Sequence, residues 1–101
     1  MVAKLIIAPE AEQDLSDAYV WYEDRRLGLG EEFLSCVDAC VHSICRTPEL
    51  YPVVYENYRR VLVRRFPYSV FYEYSDEIIT IYCVFHNSLD PQKWRERLLM
   101  H

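Results

Sequence analysis

The chain has 101 residues, which suffice for one domain with a hydrophobic core and are too few for two. It is 51% apolar and 15% aromatic, as folded proteins are, and contains no apolar run of about 18 residues that could span a membrane. The net charge of −5 argues against broad, non-specific nucleic-acid binding, which requires a positive surface. We therefore expect a single domain over residues 1–101. The N-terminal residues do not have the pattern of a signal peptide, so we expect the protein to be cytoplasmic.

The chain begins with a predicted strand and an amphipathic helix. Residues 4–8 form a short apolar run, and Pro9 suits the first position of a helix because its missing N–H is not needed there. Apolar residues then recur at spacings of three and four, which predicts one buried stripe with a solvated acidic face opposite. Arg25 and Arg26 suit the C-terminal end of this helix.

A second amphipathic helix follows a glycine-containing break at residues 28–30. It is predicted to begin at Glu31 and to end before Pro48, because the residue preceding a proline avoids helical angles. Two adjacent helices joined by a short turn form a helical hairpin. The apolar stripe of this hairpin requires a partner surface.

The second half of the chain predicts that surface as a sheet. The predicted strands are Val53–Tyr55, Arg59–Phe66, Tyr68–Tyr74 and Ile78–Phe85. The last is apolar on both faces, which indicates a central strand, and alternation places Ile79, Ile81 and Cys83 on one face. Residues 92–100 are predicted to form a short helix or a docked tail anchored by Trp94.

These elements predict an α+β fold in the order β-α-α-β-β-β, followed by the C-terminal tail or short helix. The N-terminal strand precedes a helical hairpin that packs on one face of a small, mostly antiparallel sheet. The other face of the sheet is expected to be partly open and to carry arginines and tyrosines.

Four arginines cluster in one predicted strand: Arg59, Arg60, Arg64 and Arg65. Alternation puts Arg60 and Arg64 on one face and Arg65 on the other. The guanidinium fork binds phosphate or carboxylate well, so these residues either contact an anion or pair with the acidic helices, for example at Asp14 or Asp17. Both alternatives remain open at this stage.

The four cysteines permit two interpretations. Cys36 and Cys40 lie one helical turn apart, and together with Cys83 and His86 they could form a four-ligand zinc site. The spacing is not that of a zinc knuckle or ribbon, and Cys83 and His86 would project to opposite faces of the strand. We therefore interpret the cysteines as reduced core thiols and expect no metal or cofactor.

Three motifs occur in order along the chain: Ala11-x-x-Asp14-Leu15 with Trp21-Tyr22, then Arg64-Arg65-Phe66-Pro67-Tyr68 leading into Val70-Phe71-Tyr72, and finally Val84-Phe85-His86-Asn87-Ser88 through Asp90-Pro91-x-x-Trp94-x-x-Arg97. Together with the order of elements, they resemble the RelE/ParE toxin superfamily of bacterial toxin–antitoxin systems. The ending is similar to that of ParE-like, plasmid-stabilisation toxins.

The resemblance implies a small cytoplasmic toxin of a type II system, held in a hetero-oligomer by a cognate antitoxin protein. In the ParE branch the target is DNA gyrase, and no catalytic set is implied. In the RelE branch the toxins are ribosome-dependent mRNA endoribonucleases. There, Arg65 matches a sheet arginine and His86 a terminal histidine that assists proton transfer, while Asn87 stands where some members carry a tyrosine.

We therefore predict a gyrase-binding toxin of the ParE type. Its target-binding or anion-binding residues are predicted to be Arg60, Arg64, Arg65 and Tyr68. The alternative is a RelE-type mRNA endoribonuclease with Arg65 and His86 as catalytic residues. A third hypothesis is a non-toxic, degenerate relative that only binds a partner, since the net charge of −5 departs from the usual basic toxin. In the toxin hypotheses, an antitoxin segment is expected to fold along the groove between hairpin and sheet.

Overall fold

Five strands and three helices lie within residues 4–100, the part of the chain that this computed structural model describes. In chain order they are β1 (Lys4–Ile7), α1 (Pro9–Arg25), α2 (Leu29–Arg46), β2 (Val53–Tyr55), β3 (Tyr58–Leu62), β4 (Tyr68–Ser75), β5 (Ile78–His86) and α3 (Pro91–Leu99). This confirms the predicted α+β fold and its order of elements. The expectation about the N-terminal leader concerns residues 1–3, outside the described residues. None of the helices in residues 4–100 is both long and apolar enough to cross a membrane.

The five strands form one mixed sheet in the order β1-β5-β4-β3-β2. β1 pairs in parallel with the first part of β5, from Lys4 opposite Ile78 to Ile7 opposite Ile81. All other neighbours are antiparallel. The prediction of a central β5 is confirmed. Within residues 4–100, however, β5 has no strand beside it on the β1 side beyond Ile81, because β1 ends at Ile7.

The turn between α1 and α2 is organised by one carboxylate. Glu23 accepts the backbone N–H groups of Gly28 and Gly30, both at 2.9 Å. Gly28 has a φ of 90°, a left-handed conformation that favours glycine. The predicted break over residues 28–30 is too long, because α2 already begins at Leu29. Gly30 lies inside the helix and is buried against Tyr19, where the absence of a side chain lets the two helices approach.

β3 is shorter than predicted, and this changes the position of two arginines. The strand ends at Leu62 instead of Phe66, and the following residues turn back into β4. The turn is closed by the Val63 N–H, which donates to the Tyr68 carbonyl at 2.9 Å, and Arg65 within it has a positive φ of 71°. Arg64 and Arg65 are therefore turn residues, and the predicted alternation of faces fails for them because the chain is no longer extended.

A bulge in β5 also corrects the predicted faces of this strand. Phe71 of β4 lies opposite Cys83, but Tyr72 lies opposite Ile81, so Tyr82 is an extra residue on β5. Ile79 and Ile81 face the helical hairpin, whereas Cys83 belongs to the core on the other face. Since side chains alternate with a period of two, one inserted residue reverses every side chain beyond it.

The face opposite the hairpin is covered by α3, so the prediction of a partly open face needs correction. Trp94 and Leu98 of α3 pack with Phe71 and Cys83 in a second core, and the Trp94 ring stacks on Phe71 at 4.9 Å between centroids. The predicted role of Trp94 as the anchor of the C-terminal segment is confirmed. Asp90 caps this helix by accepting the Gln92 N–H at 2.9 Å.

Candidate functional site

The predicted site residues lie on three separate parts of the molecule. Tyr68 and His86 line a groove against α1. Arg64 and Arg65 lie in the β3–β4 turn beside α2. Arg60 lies on β3 next to Phe71, with its side chain toward the α3 side of the sheet. The sheet therefore brings together only Tyr68 and His86, which are direct partners across β4 and β5.

The α1 groove is an open cleft of about 520 Å³ between α1 and the ends of β4 and β5. Its walls are mostly apolar and aromatic, with Asp14 and Asp17 at one side. Among the lining residues are Ala18, Trp21, Tyr22, Tyr68, His86 and Leu89. About half of the Trp21 surface is exposed, so the rim of the groove is apolar as well.

His86 is held in one orientation at the end of β5. Its Nδ1 accepts the Ser88 N–H at 3.0 Å and lies 2.7 Å from the Ser88 hydroxyl, and its ring meets Tyr68 edge-on at 5.2 Å. Because Nδ1 accepts a hydrogen bond, the neutral ring carries its proton on Nε2. Burial, followed by the neighbouring Tyr22 and Asp14, raises the pKa of Tyr68. Tyr68 is therefore a neutral hydroxyl at physiological pH.

Arg65 pairs with a carboxylate of an acidic helix, which is one of the two alternatives expected. The carboxylate is that of Glu32, however, and not that of Asp14 or Asp17. Arg65 contacts Glu32 of α2 at 3.2 Å, and Glu32 also contacts Arg26 at 2.9 Å. The Arg65 side chain is 67% exposed, so this pair contributes little to stability. Arg64 is exposed and forms neither a hydrogen bond nor an ion pair with any residue from 4 to 100.

Arg60 begins a hydrogen-bonded relay that sequence reasoning missed. Its Nε donates to the Ser69 hydroxyl at 3.0 Å, and this hydroxyl donates to Oδ1 of Asn87 at 2.5 Å. Ser69 is only 1% exposed. No sequence signal links these residues, because only the pairing of β3, β4 and β5 brings them together.

Asp14 is a second residue whose role was missed, and its predicted place on a solvated acidic face is wrong. Its carboxylate pairs with Arg97 of α3 and accepts the Val84 N–H of β5 at 3.0 Å. Within residues 4–100, no strand lies on the β1 side of β5 at Val84, so the carboxylate satisfies a backbone donor that would otherwise be unpaired. The only sequence signal was that Asp14 and Arg97 belong to the first and third motifs.

The four residues of the hypothetical zinc site are divided between the two faces of the sheet. Cys40 belongs to the core under the hairpin and Cys83 to the core under α3. Burial raises the pKa of Cys40 to about 11 and that of Cys83 to about 12, so both remain neutral thiols. Within residues 4–100, no group of three or more His, Cys, Asp or Glu could hold a metal ion.

Comparison with known proteins gives a consistent picture. The profile of the family described as "ParE toxin of type II toxin-antitoxin system, parDE" matches residues 5–91. Toxin ParE2 of Mycobacterium tuberculosis is 29% identical over 92 residues, which span 90% of this chain and 88% of that protein.

Solved structures of the same fold include two of about equal similarity. The chromosomal ParDE system of P. aeruginosa contains a chain with a TM-score of 0.76 and 16% identity, over 84% of this chain and 96% of that one. A mutant of the E. coli toxin RelE in the free state has a TM-score of 0.72 and 12% identity, and the match covers 99% of this chain and 98% of that one. At these identities the two structures indicate the fold alone.

Proposed function

Since the chain belongs to the ParE toxin family of type II toxin–antitoxin systems, we propose that it acts by binding a protein target, DNA gyrase, and not by catalysis. Toxins of this family are neutralised by an antitoxin. From the proposed target and the antitoxin we infer that the protein is cytoplasmic.

The observation that carries this proposal is the dispersal of the candidate catalytic residues. Cleavage of RNA through its 2′-hydroxyl requires a base, a cation for the phosphorane and an acid around one phosphate. Arg65 is instead paired with Glu32, and Nδ1 of His86 is occupied by Ser88. Arg60 is directed to the opposite side of the sheet. A binding surface, unlike a catalytic set, does not need these groups to converge.

We further propose that a segment of the antitoxin occupies the α1 groove. The groove has an apolar rim at Trp21 and is next to the part of β5 that has no strand on its β1 side within residues 4–100. A disordered segment that folds on binding can fill such a surface with apolar side chains. The exposed Asp17 carboxylate at the side of the groove favours a segment that also carries a lysine or arginine.

The target is tested by induced expression in a bacterial host, with and without the adjacent open reading frame. We expect growth arrest with a DNA-damage response, relieved by the neighbouring gene. Purified protein should also inhibit supercoiling by gyrase in vitro. Supercoiling that is unaffected at micromolar excess would contradict the proposal.

The alternative function, mRNA cleavage of the RelE type, is favoured by one contact. Tyr68 and His86 lie side by side in the α1 groove, so a hydroxyl and an imidazole N–H face the same space. Growth arrest without a DNA-damage response, with mRNA cuts that map to translating ribosomes, would support it. Absence of any arrest would favour the third hypothesis, a non-toxic relative that only binds a partner.

The antitoxin site is tested by a matched pair of substitutions. Leu89→Lys places a charge in the α1 groove and should abolish capture of the neighbouring gene product by the purified chain. Leu99→Lys adds the same charge on α3, outside the groove, at a side chain that is already 63% exposed. Capture that is lost equally in both variants, or in neither, would contradict the assignment of the groove.

A further inference from the structure

Arg60 is a half-buried arginine without a counter-ion in residues 4–100. By contrast, the guanidinium groups of Arg26, Arg65 and Arg97 all contact carboxylates. The side chain of Arg59 is occupied too, because it donates to the carbonyls of Glu49 and Tyr51. Within residues 4–100, Arg60 is therefore a partly buried arginine whose guanidinium is bonded to a hydroxyl and to neither a carboxylate nor a carbonyl. A buried charge is normally paired, so an anion from another molecule is the natural partner of this one.

The position of the Arg60 guanidinium is fixed by its neighbours. The Nε bond to Ser69 and the bond from Ser69 to Asn87 form a relay in which each hydroxyl or amide oxygen accepts from the group before it. The ring of Phe71 lies 5.8 Å from the guanidinium carbon and is itself stacked on Trp94. The N–H of Asn87 donates to the Pro67 carbonyl at 2.7 Å, which holds the end of the relay.

The relay decides which donors remain available. Nε is used by Ser69, so the Nη groups of Arg60 offer their end-on pair of N–H bonds. The Asn87 oxygen is also used, which leaves its amide N–H groups as donors. The site thus presents donors of two residues and positive charge. That is the donor set of an oxyanion site.

We propose that Arg60 and Asn87, positioned by Ser69, bind a carboxylate of the toxin's protein target. This inference rests on the proposed function, since it names the chemistry by which that target is recognised. A planar carboxylate matches two parallel N–H bonds from one guanidinium. A nucleic-acid backbone would require several cations along its path, and the net charge of −5 repels it. The position of Arg60, on the sheet face opposite the hairpin, separates this site from the α1 groove.

The proposal is tested without target or antitoxin by following the Arg60 side-chain N–H signals in an NMR titration with sodium acetate. Sodium chloride and inorganic phosphate at matched ionic strength serve as comparisons. We expect a saturable shift with acetate that is at least several-fold larger than with either comparison anion. Absence of a saturable shift would overturn the proposal. A stronger response to phosphate would also overturn it, in favour of a nucleic-acid backbone.

Three variants make the titration specific. Arg60→Lys keeps the positive charge but removes the guanidinium fork. Asn87→Asp, at an exposed position, keeps an oxygen that accepts from Ser69 but replaces the amide N–H donors by a carboxylate. Both should lose the saturable acetate response, which is read at the Arg60 side-chain N–H signals for Asn87→Asp and at the Asn87 side-chain amide signals for Arg60→Lys. Arg46→Lys, at an exposed position on α2, is the matched control and should respond like the wild type. An unchanged backbone amide spectrum shows that each variant is folded.

A second arm assigns the carboxylate to the target. If the wild-type chain arrests growth, Arg60→Lys should relieve the arrest several-fold while capture of the antitoxin persists. Arrest that persists with Arg60→Lys would overturn the assignment to the target. Because the acetate titration needs no toxicity, failure of the gyrase hypothesis and failure of this site give different results.

Discussion

Asp14 and Arg97, which are 83 residues apart in the chain, form a two-pronged ion pair with N–O distances of 2.9 and 3.1 Å. Both side chains are largely buried. The pair connects α1 to α3 across the end of β5, where Asp14 also accepts the Val84 N–H. Arg97 additionally lies over the Phe85 ring at 4.7 Å. One carboxylate therefore fixes two helices and the part of β5 that has no strand on its β1 side within residues 4–100.

Replacing Asp14 by alanine should destabilise the fold by about 3 kcal/mol, because it leaves a largely buried guanidinium and the Val84 N–H without a partner. Urea unfolding monitored by circular dichroism measures this change in free energy. Asp17→Ala is the matched control on the same helix, and because Asp17 is exposed the expected change is below about 0.5 kcal/mol. Equal effects of the two substitutions would show that the ion pair contributes nothing.

The two glycines of the hairpin turn should respond differently to alanine. A Cβ on Gly30 would lie 2.8 Å from the Tyr19 carbonyl oxygen, so the helices must separate. A Cβ on Gly28 would meet nothing within 4 Å, and only its positive φ opposes the substitution. We expect a loss of about 1 kcal/mol for Gly28→Ala and a clearly larger loss for Gly30→Ala, measured by thermal unfolding. The reverse order would contradict the close packing of α1 and α2.

Stability should fall at alkaline pH because of the buried thiols. The pKa of Cys83 is raised from 9.0 to about 12 by burial, so the folded state holds this proton more tightly than the unfolded state. Its contribution is fully present below pH 9.0 and is lost as the pH rises toward about 12. Between about pH 8 and pH 10.5, the free energy of unfolding should fall by about 2 kcal/mol from this group.

Cys83→Ala supplies the control for this pH dependence. The variant should be less stable throughout, but its stability should decline less steeply with pH than that of the wild type. The pKa values of Tyr72 and Tyr82 are also raised to about 12, so these tyrosines contribute to the fall in stability with pH in both proteins. An identical slope in the two proteins would rule out Cys83 as a source.

Trp94→Ala should destabilise the chain by about 3 kcal/mol, because it empties the second core between α3 and Phe71. Denaturant unfolding followed by circular dichroism reports the loss. Leu99→Ala, on the same helix but 63% exposed, should leave the stability nearly unchanged. If Trp94→Ala unfolded at the wild-type midpoint, α3 would not be an integral part of the fold.

His86→Gln should leave growth arrest within roughly twofold of wild type if the toxin acts by binding gyrase, because His86 is not among the predicted target-binding residues. His86 lies at an exposed strand end, so the substitution should not disturb folding. Growth curves after induction provide the measurement, with protein levels matched by immunoblot. Loss of arrest in His86→Gln would favour the endoribonuclease alternative.

Local patterns predicted most of the fold correctly. Pro9 and Pro48 bound the helical hairpin, and the apolar residues on both faces of β5 indicated a central strand. These features follow from the conformational limits of single residues and from hydrophobic periodicity, so they can be read from neighbours in the sequence. The end of β3 was predicted too late because Val63 and Phe66 are apolar and buried. A buried turn with such residues has the same hydrophobic pattern as a strand.

The candidate site was predictable only in part. His86 and Tyr68 were identified from motifs, and the structure brings their rings into contact. The relay from Arg60 to Asn87 and the Asp14–Arg97 pair were not predicted. Hydrogen bonds between residues far apart in the chain leave no periodic signal.

The sequence by itself determined the family, the order of elements and the two amphipathic helices, because these depend on local conformational preference and on motifs in a fixed order. Only the tertiary structure decided which charges are paired. A single bulge at Tyr82 and an early end of β3 reassign side chains to the opposite face or to a turn. The partner of each arginine therefore depends on strand register, which the packing of the whole sheet sets.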